Sequence, residues 1–380
     1  MAATNFTSIP TIDLSDATSP TKKPVLLSHL RNALLSTGFL YLKNHNIPPQ
    51  TISSLTAALP LLFALSASSK TAAALQNSPH FLGYSATGSE TTAGKQDARE
   101  QFEFCTPHFF RADQLHDHGT RRKLRKEEKI YDMLKGPNQY PPAFPALKDT
   151  VENYMTALTR LSTQFIRLVA EALELPSDAL DSFLSDTNRL KLVHYPSIAG
   201  DSEDSGLPAQ GVGPHKDSSG WFTFLLQASP PHIHGLQALN KRGEWIDVAN
   251  LPGTLVVNIG QGFEVITGGV CKATVHRVLG TRPGEDRYSV PFFLGLRRDL
   301  RKGEAVGKLG DHFREGRWKR VGGEGECGEM AGVESEEARA VDSKWLSGEY
   351  DVWGEAQLRT KIASHRDVGR RFYRDMVEGD

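Results

Sequence analysis

His215, Lys216 and Asp217 set an imidazole and a carboxylate two residues apart in a chain of 380 residues. On an extended strand, residues two apart share a face, so this pair would offer one nitrogen and one oxygen to the same metal ion. A third donor has to come from another strand. His276, in Ala273-Thr-Val-His-Arg-Val-Leu279, is the downstream histidine that sits inside a clear β-pattern. Two imidazoles and one carboxylate leave the other positions of an ion open, the arrangement that oxygen activation at non-haem Fe(II) requires. An H-x-D pair alone is far more often a surface-loop feature than a metal site. His232-x-His234 is a competing pair, but it follows Pro230-Pro231 in a segment that reads as a solvated turn. Eleven residues beyond His276, Arg287-Tyr288-Ser289 places a guanidinium and a hydroxyl on one strand face, a fork suited to a carboxylate.

Other chemistries find less support. Gly211-x-Gly213 and Gly260-x-Gly262 read as tight turns rather than as phosphate loops, because no helix is expected to follow either. A Gly-x-Ser-x-Gly nucleophile motif is absent, and Cys271 lies in an apolar stretch with no base beside it. Cys105, Cys271 and Cys327 are odd in number and lack CxxC spacing, which points to reduced thiols. His45 reads as a packed, hydrogen-bonded histidine.

The elements that must position these groups change character along the chain. Ile9 to Leu14 reads as a short strand, followed by an amphipathic helix carrying Leu26, Leu30, Ala33 and Leu34, halted at Gly38 before the strand Phe39-Leu40-Tyr41-Leu42. Leu147 to Leu175 carries apolar residues at spacings of three and four and ends before Pro176, a scaffold helix. After Leu190 come short apolar runs broken by Gly, Pro and Asn (KLVHYP, WFTFLLQ, EWIDV, TLVVNIG, ATVHRVLG, RYSVPFF), spaced like the strands of an antiparallel sandwich or barrel. Four segments follow: a mixed α/β region with the scaffold helix (1–185), a β-domain (186–300), a polar, Gly-rich insertion or lid (301–344) and a C-terminal helix packed on the outside of the β-domain (345–380). The fold class is mainly β with α.

Forty-four Lys and Arg stand against forty-five Asp and Glu, a net charge of −1, so no overall field draws the chain to nucleic acid or an anionic membrane. No stretch approaches the roughly 20 apolar residues of a membrane span, and the first residues lack the basic and apolar segments of a secretory leader. A cytosolic location is expected.

Pro214-His215-x-Asp217, Val256-Val257-Asn258-Ile259-Gly260, Glu264-Val265-Ile266-Thr267, Val275-His276-Arg277-Val278 and Arg287-x-Ser289 occur in order. Ahead of them come Ile9-Pro10-x-Ile12-Asp13-Leu14, Gly38-Phe39-x-Tyr41-x-x-Asn44-His45, and Gly83-Tyr84 through Glu100-x-Phe102. The whole resembles the iron(II)/2-oxoglutarate-dependent dioxygenases of the isopenicillin-N-synthase-like class, except over residues 301–344. The resemblance implies a double-stranded β-helix (jelly-roll) in which His215, Asp217 and His276 hold Fe(II). Arg287 and Ser289 would bind the distal carboxylate of 2-oxoglutarate, helped by Tyr195, with ascorbate as a stimulant. Two motifs depart from the common pattern: Asn258-Ile259-Gly260-Gln261 ends in Gln rather than Asp, and His194-Tyr195-Pro196 begins with His rather than Tyr. The implied reaction couples conversion of 2-oxoglutarate and O₂ to succinate and CO₂ with oxidation of an unactivated C–H bond in a small molecule. The alternatives are an iron oxidase of the same fold without 2-oxoglutarate, a metal-dependent hydrolase and a non-catalytic jelly-roll binding protein.

For the second substrate, strand parity turns Phe293 inward if Arg287 and Ser289 face inward. Phe102, Phe104 and Lys191 match positions that flank the substrate in flavonoid-oxidising relatives, and Trp221 follows the first metal donors closely. Such rings, Phe104 among them, are also ordinary core residues. As a group they suggest an aromatic or polycyclic substrate, flavonoid-like or polyketide-derived, rather than a free amino acid, a nucleic acid or a protein.

Overall fold

The computed structural model describes residues 6–92, 95–108, 127–197, 210–218, 220–314, 318, 345 and 348–377. The chain opens with β1 (Thr11–Asp13), α1 (Lys23–Asn32), β2 (Phe39–Lys43), α2 (Pro49–Phe63) and α3 (Ala67–Thr71). Short strands β3 (Gly83–Ser85), β4 (Thr91–Thr92) and β5 (Lys95–Gln96) lead to β6 (Glu100–Cys105) and the long helix α4 (Leu147–Ala172). Next come β7 (Arg189–Tyr195), β8 (Gln210–His215), β9 (Phe222–Gln227), β10 (Leu236–Leu239), β11 (Trp245–Asp247) and β12 (Thr254–Ile259). The short helix α5 (Gln261–Ile266) precedes β13 (His276–Leu279) and β14 (Arg287–Phe293). The chain continues through α6 (Lys302–Arg314), α7 (Trp353–Ser364), α8 (Arg366–Phe372) and α9 (Arg374–Val377).

Eight strands form the major sheet in the order β1-β2-β12-β9-β14-β7-β6-β3, and β11-β10-β13-β8 form the minor one. Together they make the jelly-roll. Period-two alternation divides the major sheet cleanly. Leu190 and Leu192 on β7, Phe222 and Phe224 on β9, Leu255 and Val257 on β12, and Val290 and Phe292 on β14 point outward into a core shared with the helices. Phe165 of α4 meets Phe222 and Phe224 edge-on at 5.4 and 5.5 Å. The opposite face turns toward the minor sheet, where Val193, Tyr195, Leu225 and Val256 meet Val212, Leu236 and Val278 in a second cluster.

The N-terminal region is woven into this framework rather than appended to it, since β2 pairs with β12 through Asn258↔Phe39 and Val256↔Tyr41. The chain enters β2 through Gly38, whose φ of 67° is a left-handed value that glycine adopts without strain. A Cβ there would lie 2.5 Å from Thr274 Oγ1, so the side chain is also excluded by the close approach of the strand leading to His276.

Three expectations need correction. The short helix α5 does follow Gly260, which serves as its N-cap. The glycine is required by packing, because a Cβ would sit 2.5 Å from the Gly220 carbonyl oxygen. The start of the polar insertion is the helix α6, whose Leu309 and Phe313 are buried in the main core with Trp318, and His312 Nε2 lies 2.8 Å from the Leu173 carbonyl. The rest of that segment, 315–317 and 319–344, lies outside the described residues, as does Cys327. The C-terminal segment is three helices, and α7 covers the open end of the sandwich instead of its outer side: Gln357, Thr360, Lys361 and Ser364 line the cavity between the sheets. No helix among the described residues is long and apolar enough to cross a membrane.

Candidate metal centre and cosubstrate pocket

His215 ends β8 and stands directly opposite His276, the first residue of β13, with ring centroids 4.2 Å apart. The strand stops at His215, so Asp217 is not on it. The chain has turned away, and the Asp217 carbonyl accepts from Gln261 N at 2.9 Å. The carboxylate still comes back to the imidazoles: Asp217 Oδ1 is 3.7 Å from His215 Nε2 and 3.5 Å from His276 Nε2. All three donors fall within 4.8 Å of one another.

The surrounding groups leave the right atoms free. His215 Nδ1 is 2.8 Å from the Gly213 carbonyl and His276 Nδ1 is 3.1 Å from the Thr274 carbonyl. Each Nδ1 therefore carries the proton, and each Nε2 presents its lone pair. Asp217 Oδ2 accepts from Thr223 Oγ1 at 2.5 Å and from Asn258 Nδ2 at 2.7 Å, which turns Oδ1 toward the histidines. Asn258 belonged to a motif quoted from the sequence; Thr223 was missed, although its position two residues after Trp221 on an inward face of β9 was readable.

Burial, reinforced by His276, pushes the His215 imidazole down to about 3, so it is neutral near pH 7. Burial also disfavours charge on His276, but the Asp217 carboxylate outweighs it and raises that imidazole. Burial alone would raise Asp217; the two imidazoles and the Asn258 amide hold it well below the usual carboxylate range. Two neutral-capable nitrogens and an ionised oxygen form a set that fits Fe(II).

Arg287 and Tyr195 are cross-strand partners, and the Arg287 guanidinium carbon lies 4.8 Å from the centre of the Tyr195 ring. Arg287 is 1% exposed, yet both of its terminal nitrogens lack a hydrogen-bond partner among the described residues. Ser289, two residues on, is buried beside it and lines the same cavity as the three candidate metal donors. A buried guanidinium without acceptors is costly. Its burial is the main influence lowering its pKa, with Tyr195 opposing it, and a carboxylate arriving from solution would relieve both defects.

Among the residues expected around a substrate, Lys191 and Phe293 do face this cavity. Phe102, Phe104 and Trp221 do not. β6 pairs with β7 so that Gln101 and Glu103 share the inward face, which leaves Phe102 and Phe104 on the other side. Phe104 stacks on Tyr140 at 5.0 Å and Phe102 meets Tyr84 at 5.0 Å, both inside the helix-covered core. Trp221 is fully buried against Phe183 and Phe263, at 5.7 and 5.4 Å. Gly220 before it has φ 99°, and a Cβ there would lie 2.1 Å from the Leu294 carbonyl oxygen; the chain dives under the sheet at this point. The wall that sequence reading missed is ionic: Glu90, Glu103, Arg189, Lys361 and His365 line the cavity around Lys191, and Arg99, which interacts with Tyr195 and His215, carries the wall back toward the candidate donors. His45 is buried as expected, its Nδ1 accepting from Ile47 N at 3.2 Å, and His232 and His234 lie in a loop.

Comparison with known proteins agrees with this geometry. Residues 9–143 match the family model of the non-haem dioxygenase N-terminal region named for morphine synthesis, and residues 187–296 match that of the 2OG-Fe(II) oxygenase superfamily. The chain is 39% identical to the 2-oxoglutarate-dependent dioxygenase frbJ of a Dothideomycetidae species, over 99% of this chain and 95% of that one. It is 36% identical to a 2-oxoglutarate-dependent dioxygenase of Gibberella zeae, over 99% and 94%. In fold it is similar to Neurospora crassa T7H, solved with alpha-KG and 5-formyluracil, at a TM-score of 0.65 and 23% identity, over 96% of this chain and 99% of that one. The chain belongs to the Fe(II)/2-oxoglutarate-dependent oxygenase family. It is therefore a dioxygenase that uses Fe(II) and 2-oxoglutarate.

Proposed function

We propose that His215, Asp217 and His276 hold the iron and that Arg287, with Ser289 and Tyr195, grips the distal carboxylate of 2-oxoglutarate. The observation that carries this reading is the pair of partnerless Arg287 nitrogens in a cavity shared with three converging metal donors. Bound there, Fe(II) supplies the oxidising chemistry that converts 2-oxoglutarate and O₂ to succinate and CO₂ and removes hydrogen from a C–H bond of a second small molecule.

The residues of the chain orient and protect. The Gly213 and Thr274 carbonyls fix the imidazole tautomers, and Thr223 and Asn258 keep one carboxylate oxygen turned to the metal. Arg287 sets the angle of the cosubstrate through a two-point contact that a lysine cannot reproduce. Phe39, 5.3 Å from the His276 ring, and Leu225 and Val278 shield the site from bulk water. Hydroxylation, desaturation and ring closure are all open to this arrangement. Of the rings from which the sequence suggested an aromatic substrate, Phe293 alone lies at the cavity, so that expectation loses most of its support.

Oxygen uptake by anaerobically Fe(II)-loaded protein, followed with and without 2-oxoglutarate, tests the assignment. Uptake and succinate release that depend on 2-oxoglutarate are expected. Uptake indifferent to 2-oxoglutarate would place the chain among iron oxidases that do without it, and failure to retain Fe(II) would remove the metal site.

A further inference from the structure

β7 and β14 form one wall of the cavity, in the register Arg287↔Tyr195, Ser289↔Val193 and Phe293↔Arg189. The inward residues of β7 are thus Tyr195, Val193, Lys191 and Arg189. Lys191 lies four residues from Tyr195, roughly 13 Å along an extended chain. Arg287 and Lys191 are therefore suited to two separate anions rather than to opposite sides of one.

The charges around Lys191 are already matched to one another. Glu103 accepts from Arg189 at 2.8 Å and from Lys361 at 2.6 and 2.7 Å. Glu90 accepts from Arg99 at 2.8 Å and from Gln101 at 2.6 Å, with His365 Nε2 at 3.0 Å, and Asp97 lies 3.1 Å from Arg99 behind the wall. Four cations against three carboxylates leave one positive charge over. Lys191 joins this cluster through ion pairs alone: its Nζ is 3.6 Å from Glu90 and 3.9 Å from Glu103, beyond hydrogen-bond reach of either. It has no hydrogen bond among the described residues, and its side chain, 14% exposed, lines the cavity. An ammonium with three donors is thus held by two ion pairs, with its hydrogen-bonding capacity unspent at the edge of the cavity.

The space is small, and charged groups share its far end with the Phe293 ring. The cavity measures about 200 Å³, below the roughly 300–1,000 Å³ of sites for drug-sized molecules, and the cosubstrate must share it. On the same cavity α7 presents the polar side chains of Gln357, Thr360 and Ser364.

From this geometry we infer that the second substrate is a small polar carboxylic acid of amino-acid size, whose carboxylate docks on Lys191 at the end of the cavity away from Arg287. The inference rests on the iron and 2-oxoglutarate assignment made above.

The test measures succinate formed by Fe(II)-loaded protein with saturating 2-oxoglutarate. Free L-amino acids and simple hydroxy acids form one set, their carboxamides a second, and neutral flavonoids a third. At least one acid should raise turnover above the rate without second substrate, and its carboxamide should not. Lys191→Met should raise the KM of that acid roughly ten- to a hundred-fold, the loss of one charge-assisted contact, and Lys191→Arg, which keeps the charge, should restore most of it. The inference is overturned if no acid stimulates, if a carboxamide serves as well as its acid, if flavonoids alone stimulate, or if Lys191→Met leaves the KM of the acid where it was. A protein that takes up no Fe(II) and consumes no 2-oxoglutarate under any condition overturns the cosubstrate assignment, and this inference with it.

Discussion

Beside the candidate metal donors Arg287 keeps both terminal nitrogens without a partner among the described residues, whereas at the far end Arg189 gives its own to Glu103 and to the carbonyls of Phe81, His80 and Leu134. The two arginines sit on adjacent strands of one sheet, both buried and both facing inward. One is complete as it stands and ties three parts of the chain together. The other has unused valence and is complete only with a visitor. If Arg287 receives the cosubstrate as proposed, buried charge at this site divides into groups that hold the walls and groups that receive ligands, and unfilled hydrogen bonds tell them apart better than burial does.

Substitutions that sharpen the contrast differ in size. The largest loss is expected at the metal donors: Asp217→Ala or His276→Ala should abolish turnover and Fe(II) retention, while the far-UV circular dichroism stays that of the parent. Next, Arg287→Lys should raise the KM for 2-oxoglutarate roughly thirty- to a thousand-fold, an effect of about 2–4 kcal/mol, without lowering the melting temperature. Arg189→Met should do the reverse, destabilising the fold by about 3–5 kcal/mol because Glu103 and Lys361 lose a buried partner, as chemical denaturation would record. If both arginine variants behave alike, the division fails. The smallest effect is expected behind the sheet, where Phe104→Leu should cost about 1 kcal/mol of stability and leave the kinetic constants for both substrates unchanged. A changed product pattern in that variant would put the ring back at the site.

Much of the site was readable because a strand has two faces and a period of two. That rule joined Arg287, Ser289 and Phe293, and it placed Tyr195 and Lys191 together. The same rule could not say which face of β6 looks into the cavity; Phe102 and Phe104 alternate with Gln101 and Glu103, and the decision is made by α2 and α4 covering the apolar side. Asp217 was placed on the strand when it lies just past it, because the spacing of an H-x-D pair is the same in both settings. The ionic wall was unreadable for a different reason. Glu103 and Lys361 are 258 residues apart, and a lysine in a polar C-terminal segment looks like any solvated lysine until its helix is docked. Leu309 and Phe313 were likewise too sparse among charges to announce a buried helix.

Thr274 has one more implication. Its hydroxyl donates to the Thr37 carbonyl at 2.7 Å, while its own carbonyl receives the His276 Nδ1 proton at 3.1 Å. The tautomer of a candidate iron-binding histidine is thus set through two hydrogen bonds that begin in the first forty residues, next to the glycine where β2 starts. A fragment running from residue 187 to 296 would contain all three metal donors and Arg287, but Thr274 would have lost the brace that fixes its orientation. A graft of the β-domain onto a foreign N-terminal half would accordingly need a carbonyl matched to the Thr274 hydroxyl to keep the His276 ring aimed.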